Sequence, residues 1–340
     1  MRAGAVMKHS GELWLTESQK GYGKPYASSL RGEIGFGLLI VSCAAAMSDR
    51  IHMTIDTERV ERFKRQVEEE WQNPQVASGY RKWSAEEAEW GRGARDLIIA
   101  QAKLASGMNV LDVGSAHGEP ALAVARAVQP GRVALIDIVP ELLTIAAERA
   151  RAAGLENVTT HVADAHALPF PDNSFDRVTC RLTAMYFADP QQAFKEALRV
   201  LKPGGVAVYL VWGAFEQPMF KDIIGLLFQY VPPPDDEPGA PSPFAYSQAG
   251  TLGKALRDAG FVSVCEESAT LPTTFPGSPE GWWEWLVDLA APVQTWVASL
   301  SDVDRRRALA EIHAALRRYY DGKIVTVPID VIIASGTKAA

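Results

Sequence analysis

An α/β fold, with a doubly wound sheet carrying helices on both faces and a helical cap, is predicted by three features of this 340-residue chain. Between Met108 and Trp212, short apolar runs alternate with helical stretches. The first apolar run ends in a glycine-rich turn that opens a helix. Two more strand-like runs, Val262–Ala269 and Ile324–Ala334, come late, with a long helical interval between them.

Residues 1–52 read differently from the rest. Met1–Arg31 has no period, and Gly35–Met47 is an uncharged, mostly apolar run of 13 residues. A bilayer span needs about 20. Ile40-Val41-Ser42-Cys43 looks like a lipoprotein cleavage box, but the polar stretch before it carries Glu12, Glu17 and Glu33, which an export signal does not. The segment is read as an N-terminal extension without fixed structure. Val60, Phe63, Val67 and Trp71 recur at helical spacing and predict a helix over 55–72, stopped by Asn73-Pro74. Ser84 with Glu87 three residues on reads as a capping box, opening a helix to about Ala105.

Asn109–Val113 is then a buried strand. Glu119–Val128 is a helix with Pro120 near its start, where a missing N–H costs nothing. Arg132–Asp137 is a strand, and Pro140–Ala153 a helix closed by Gly154. Asn157–Val162 and Phe175–Cys180 are further strands. Pro190–Leu201 is a helix, and Lys202–Gly205 turns the chain into strand Val206–Trp212. Lys221–Val231 is helical. Pro232–Pro243, with six prolines, is a long loop that reads as a lid. A helix at Gly250–Gly260 precedes the two late strands, and Pro279–Leu300 and Ser301–Tyr320 are helical between them. The chain thus divides into the extension (1–52), N-terminal helices (53–105), a core (106–215) and a remainder (216–340), whose helical cap spans 276–322.

Composition narrows the function. The net charge is −7, from 34 basic and 41 acidic residues. A nucleic-acid partner calls for a basic surplus, so none is expected. Three cysteines, Cys43, Cys180 and Cys265, form no CxxC, no metal spacing and no disulfide framework. No metal site, no membrane attachment and a cytoplasmic, reducing setting are the expectations.

Chemistry concentrates in Asp112-Val113-Gly114-Ser115-Ala116-His117-Gly118, between a strand and a helix. Glycines let backbone approach a ligand, and a helix start offers free N–H groups. The dinucleotide fingerprint wants glycines at relative positions 1, 3 and 6, and here Ala116 and Glu119 stand at the last two. Asp137 ends the second strand, 23 residues after Gly114, where a carboxylate suits a ribose diol; a helix-capping Asp ahead of Pro140 is the competing reading. Asp164, in Ala163-Asp164-Ala165 after the third strand, suits an adenine amino group; a plain turn Asp is the competing reading.

An acid two residues before Gly114, with Gly118 four after it, resembles the first motif of class I S-adenosylmethionine-dependent methyltransferases. Leu168–Asp176 (LPFPDNSFD) and Leu198–Gly205 (LRVLKPGG) resemble stretches of the ubiquinone/menaquinone-biosynthesis-type family. The resemblance is strong over about 105–212. It implies a Rossmann-like, seven-stranded sheet with the seventh strand antiparallel, and S-adenosyl-L-methionine as cofactor, leaving as S-adenosyl-L-homocysteine. The cofactor-binding set so implied is Tyr80, Asp112, Gly114, Ser115, Ala116, Gly118, Asp137, Ile138, Ala163, Asp164, Ala165 and Arg181. Two departures stand out. Ala116 replaces the usual glycine, so negative φ is expected there. Arg181–Phe187 lacks the histidine common after the fourth strand and has Met185-Tyr186 instead.

Methyl transfer needs a nucleophile held on axis and water excluded; a base is needed only where a proton must leave. His117 and Arg181 are the catalytic candidates, against a solvated loop histidine and an ion-pair partner. His161 reads as structural and His166 as ambiguous. Trp212, Trp282, Trp283 and Tyr186 are candidates for the substrate pocket, against plain core packing. The acceptor is expected to be a small apolar or aromatic molecule methylated on oxygen or carbon, with amine N-methylation as the alternative. A non-catalytic cofactor-binding module and a nicotinamide-dependent oxidoreductase are the other classes kept. Arsenic methylation would need several thiols at the pocket, and only Cys180 falls near it.

Overall fold

Seven strands form one sheet in the order β3-β2-β1-β4-β5-β7-β6. The structure is a computed structural model describing residues 57–233, 237 and 239–340. The expectation for 1–52 lies outside the described residues, as do 234–236 and 238 of the proline-rich loop.

β1 (Val110–Val113), β2 (Val133–Asp137), β3 (Val158–Val162), β4 (Phe175–Arg181) and β5 (Leu201–Trp212) pair in parallel. All four β1 residues are buried, as a strand covered on both faces requires. β7 (Ile324–Thr337) runs antiparallel between β5 and β6 (Val262–Pro276). The sheet is therefore the mixed, seven-stranded arrangement with one reversed strand. Both late strands run longer than the sequence suggests, because they continue pairing past the core, from Val262↔Thr337 to Pro276↔Ile324.

The helices between strands, α5 (Ala121–Val128), α6 (Pro140–Ala152), α7 (Pro190–Val200) and α8 (Thr251–Asp258), fall where the periodicity puts them. Asp189 caps α7 by accepting from the Gln192 N–H at 3.0 Å. A π-helical turn (Met219–Ile223) and a 3₁₀ turn (Ile224–Gln229) replace the single helix expected over 221–231.

The N-terminal helices depart from expectation in one informative way. α1 covers residues 57–71, and α2 is Pro74–Lys82. The helix expected from Ser84 breaks at Gly91 into α3 (Ser84–Trp90) and α4 (Arg92–Ala102). No capping box forms: Trp83 holds the cap position without a side-chain bond. Glu87 turns inward instead, to Arg181. The described residues from 57 on form one compact unit, and α3, α4, the sheet and the cap share one apolar core. The cap is α9 (Pro279–Leu289), α10 (Ala291–Ser299) and α11 (Asp302–Leu316).

Candidate functional site

A cavity of about 1400 Å³ opens beyond the C-terminal ends of β1, β2 and β4, under α1 and the cap helices. One side of its wall is polar and built from strand ends. The other is aromatic.

The polar side begins at the turn after β1. Gly114 has φ +66°, and a Cβ there would lie 2.3 Å from Thr183 Cγ2, so only glycine fits. Ala116 corrects the expectation of negative φ: it sits at +44°. A left-handed alanine costs roughly 1–2 kcal/mol. Its N–H offsets this by donating to Asp137 Oδ2 at 2.8 Å. Asp137 Oδ1 accepts from the Val139 N–H at 3.0 Å. Each carboxylate oxygen thus holds one backbone donor and keeps a lone pair, and the group lines the cavity. Burial pushes the Asp137 carboxyl up, and those backbone bonds oppose it.

Asp164 lies on the same wall, where Lys64 of α1 approaches its Oδ2 at 3.2 Å. Its Oδ1 accepts from the backbone N–H and Nδ1–H of His166. His166 Nε2 in turn accepts from the Asp189 N–H at 3.0 Å. That bond fixes the tautomer and leaves Nδ1 as donor. Burial works to raise the Asp164 acid, but His166 and Lys64 outweigh it and hold it well below the usual carboxylate range. Ile138, Ala163 and Ala165 complete this part of the wall.

His117 is not a cavity residue. It is fully buried, with Nε2 2.8 Å from Glu87 Oε2 and its ring 4.9 Å from that of Tyr80. The loop was expected to present it to solvent or substrate. The inward turn of Glu87 draws it beneath the wall instead. Arg181 does line the cavity, but its Nη2 donates to Glu87 Oε1 at 2.7 Å and its side chain is 7% exposed. Burial favours protonated Glu87; Arg181 and then His117 prevail and hold its acid far below normal. This buried pair braces the wall. Tyr80 lines the cavity above His117, its hydroxyl pushed up by burial and then by the Glu87 charge.

Asp112, Ser115 and Gly118 carry no part of the cavity wall. Asp112 Oδ1 accepts from Thr179 Oγ1 at 2.5 Å inside the sheet, and the Ser115 hydroxyl donates to the Asp112 carbonyl at 2.8 Å. They shape the turn from below rather than face a ligand.

On the aromatic side, Trp212 at the end of β5 and Tyr186 after β4 both line the cavity. Trp282 and Trp283 do not: they face the core between helices, and Trp282 is fully buried. Trp285, from the same helix, takes the wall position, with Trp90 5.1 Å away. Phe220 meets Trp212 edge-on at 5.2 Å and Phe244 at 4.8 Å. Trp71 meets Tyr186 edge-on at 5.5 Å. The sequence singled out none of Trp71, Phe220 and Phe244; the helical stripe through Phe63, Val67 and Trp71 showed an inward face without saying what it met.

Among the described residues no group of His, Cys, Asp and Glu is arranged to hold a metal ion. No described helix is long and apolar enough to cross a membrane.

Residues 104–213 match a family model described as a methyltransferase domain. Over 187 residues the chain is 33% identical to the demethylmenaquinone methyltransferase of Staphylococcus aureus (strain JH9), covering 52% of this chain and 77% of that protein. Over 131 residues it is 36% identical to YcgJ, an uncharacterized methyltransferase of Bacillus subtilis, covering 38% of this chain. It spans about half of that relative's length, 51%. The crystal structure of YcgJ aligns over 73% of this chain and 99% of that one, with a TM-score of 0.48 and 24% identity.

Proposed function

The chain belongs to the class I S-adenosylmethionine-dependent methyltransferases of the ubiquinone/menaquinone type, and from that premise we propose that its acceptor is a small, largely apolar or aromatic molecule methylated on oxygen or carbon. The observation that carries this is the aromatic half of the cavity, where Trp71, Tyr186, Trp212, Phe220, Phe244 and Trp285 face one space. Flat apolar rings pack well against such walls. The relative named above acts, by its name, on demethylmenaquinone, a largely apolar quinone, which agrees with this reading.

The polar half fits the cofactor. In this proposal Asp137 accepts from the ribose hydroxyls, using the lone pairs that Ala116 and Val139 leave free. Gly114 lets the backbone approach the methionine end, and Asp164 with Ile138, Ala163 and Ala165 surrounds the adenine. Tyr80 and Arg181 close the remaining polar wall. Bound there, S-adenosylmethionine supplies an electrophilic methyl group, whose carbon accepts the acceptor's electron pair as the carbon–sulfur bond breaks with its pair left on sulfur. The chain's own part is to hold the acceptor in line, keep water out and manage the acceptor's proton. A cytoplasmic setting belongs to the same proposal, supported by the unpaired thiols of Cys180 and Cys265.

The test is transfer of tritiated methyl to an organic-extractable product from a panel of phenols, hydroquinones, 1,3-diketones and amines. Product from the first three classes supports the reading. Product from amines alone replaces it with N-methylation, and product from none overturns it. Titration with S-adenosylhomocysteine and with NADH, side by side, checks the cofactor: heat from the first only is expected.

A further inference from the structure

We infer that Glu70, near the end of α1, accepts the proton of the acceptor's hydroxyl as the methyl group is transferred. The inference deepens the reading above and rests on it. The cavity wall offers several carboxylates, but most are already engaged. Glu87 is held by Arg181, Glu119 by Arg149, Asp164 by Lys64 and Glu237 by Arg62. Asp137 holds two backbone amides. The histidines are engaged too. His117 is sealed beneath the wall, and both ring nitrogens of His166 are in hydrogen bonds.

Glu70 differs from all of these. It is half-buried on the cavity wall, while Glu61, Glu68 and Glu216 on the same wall are exposed. Among the described residues no cation and no hydrogen-bond donor reaches its carboxylate. A charge taken partly out of water and left unpaired seeks a proton. Burial alone pushes its acid up.

Its neighbours suit the role. Trp71, next in the chain, packs edge-on against Tyr186. Tyr186 is close enough to feel the Glu70 charge: burial, and then Glu70, push its hydroxyl up, so it stays protonated as a donor. A phenol oxygen between the two would donate its proton to Glu70 and accept from Tyr186. In the step, the acceptor's O–H bond breaks with its electron pair left on oxygen, and the proton passes to a Glu70 oxygen. That oxygen pair forms the new bond to the methyl carbon, the carbon–sulfur pair stays on sulfur, and Glu70 returns its proton to water.

The experiment compares the wild type with Glu70→Gln and Glu70→Ala on a series of phenols at mildly alkaline pH. The series runs from 4-methoxyphenol, which is neutral there, to 4-nitrophenol, which is largely ionised. With 4-methoxyphenol, kcat should fall about 100-fold in Glu70→Gln, as for a lost general base. With 4-nitrophenol the loss should be less than about threefold, since no proton remains to be taken. A second readout needs no transfer. Quenching of tryptophan fluorescence by 4-methoxyphenol, with S-adenosylhomocysteine present, should show about tenfold weaker binding in Glu70→Gln, the size of a lost charged hydrogen bond. An equal loss across the series, or none, overturns the inference while the acceptor reading stands. A wild type that methylates no phenol overturns the inference, and one that also methylates no hydroquinone or 1,3-diketone overturns the acceptor reading with it.

Discussion

Replacing Asp112 by asparagine should change how the stability of the fold depends on pH. Asp112 sits in β1 between β2 and β4 and is 1% exposed. One carboxylate oxygen accepts from Thr179; the other has no partner among the described residues. Burial pushes the carboxyl up to about 7, only partly opposed by the hydrogen bond from Thr179. In the unfolded chain an aspartate titrates near 3.9. The folded state therefore binds the proton more tightly, and its stability falls as pH rises between those two values. At about 1.4 kcal/mol per pH unit, the loss from pH 5 to pH 7 is about 2 kcal/mol. For a fold of this size that is about 3–4 °C in Tm. Asparagine keeps the acceptor for Thr179 and has no charge to bury. Calorimetric melts of both proteins from pH 5 to pH 8 should show the variant gaining on the wild type by that amount up to pH 7, then levelling. A Tm difference that does not change with pH refutes the reasoning, because it means Asp112 is ionised in the fold throughout.

Other substitutions probe the wall of the cavity. Gly114→Ala puts a Cβ 2.3 Å from Thr183 and a side chain at φ +66°, and should abolish S-adenosylhomocysteine binding in a calorimetric titration. Adding Thr183→Gly removes the collision and should restore part of that affinity; no recovery would mean the clash is not the cause. Asp137→Ala removes the acceptor for the Ala116 and Val139 N–H groups as well as the ribose partner. Affinity for S-adenosylhomocysteine should fall by about 1–3 kcal/mol, and an unchanged Kd would remove the ribose assignment. Glu87→Ala leaves the Arg181 guanidinium buried without its partner and should cost about 3–5 kcal/mol in denaturant unfolding. A loss under 1 kcal/mol would mean water reaches Arg181.

The alternation of apolar runs and helices between Met108 and Trp212 was legible because strand and helix periods differ along the chain itself. The sheet order and the turn at Gly114 follow from it. What escaped depends on partners distant in sequence. Ser84 and Glu87 make a sound capping box by spacing, yet Arg181, 94 residues away, takes the Glu87 carboxylate. The other oxygen of Glu87 meets the fully buried His117, which any local reading leaves in an open loop. Trp282, Trp283 and Trp285 are equivalent by composition; only the packing of α9 shows which one reaches the cavity. Ala116 adopts a glycine-like φ because Asp137 holds its N–H, a restraint no propensity contains. Glu70 reads as one more charge in a polar stretch until the wall opposite is known.

The place of β7 between β5 and β6 has a consequence for the growing polypeptide on a ribosome. The five parallel strands are contiguous in the sheet and are all made by Trp212, so the polar wall of the cavity needs nothing synthesised later than β5 to pair its strands. β6 is different. Its sole hydrogen-bonded neighbour among the described strands is β7, and α9, α10 and α11 must be made before that neighbour emerges. At about 5–20 residues per second, β6 waits on the order of seconds with both edges open. Glu266, Glu267, Pro272 and Pro276 along its length are the residue types that discourage wrong pairing in such an interval.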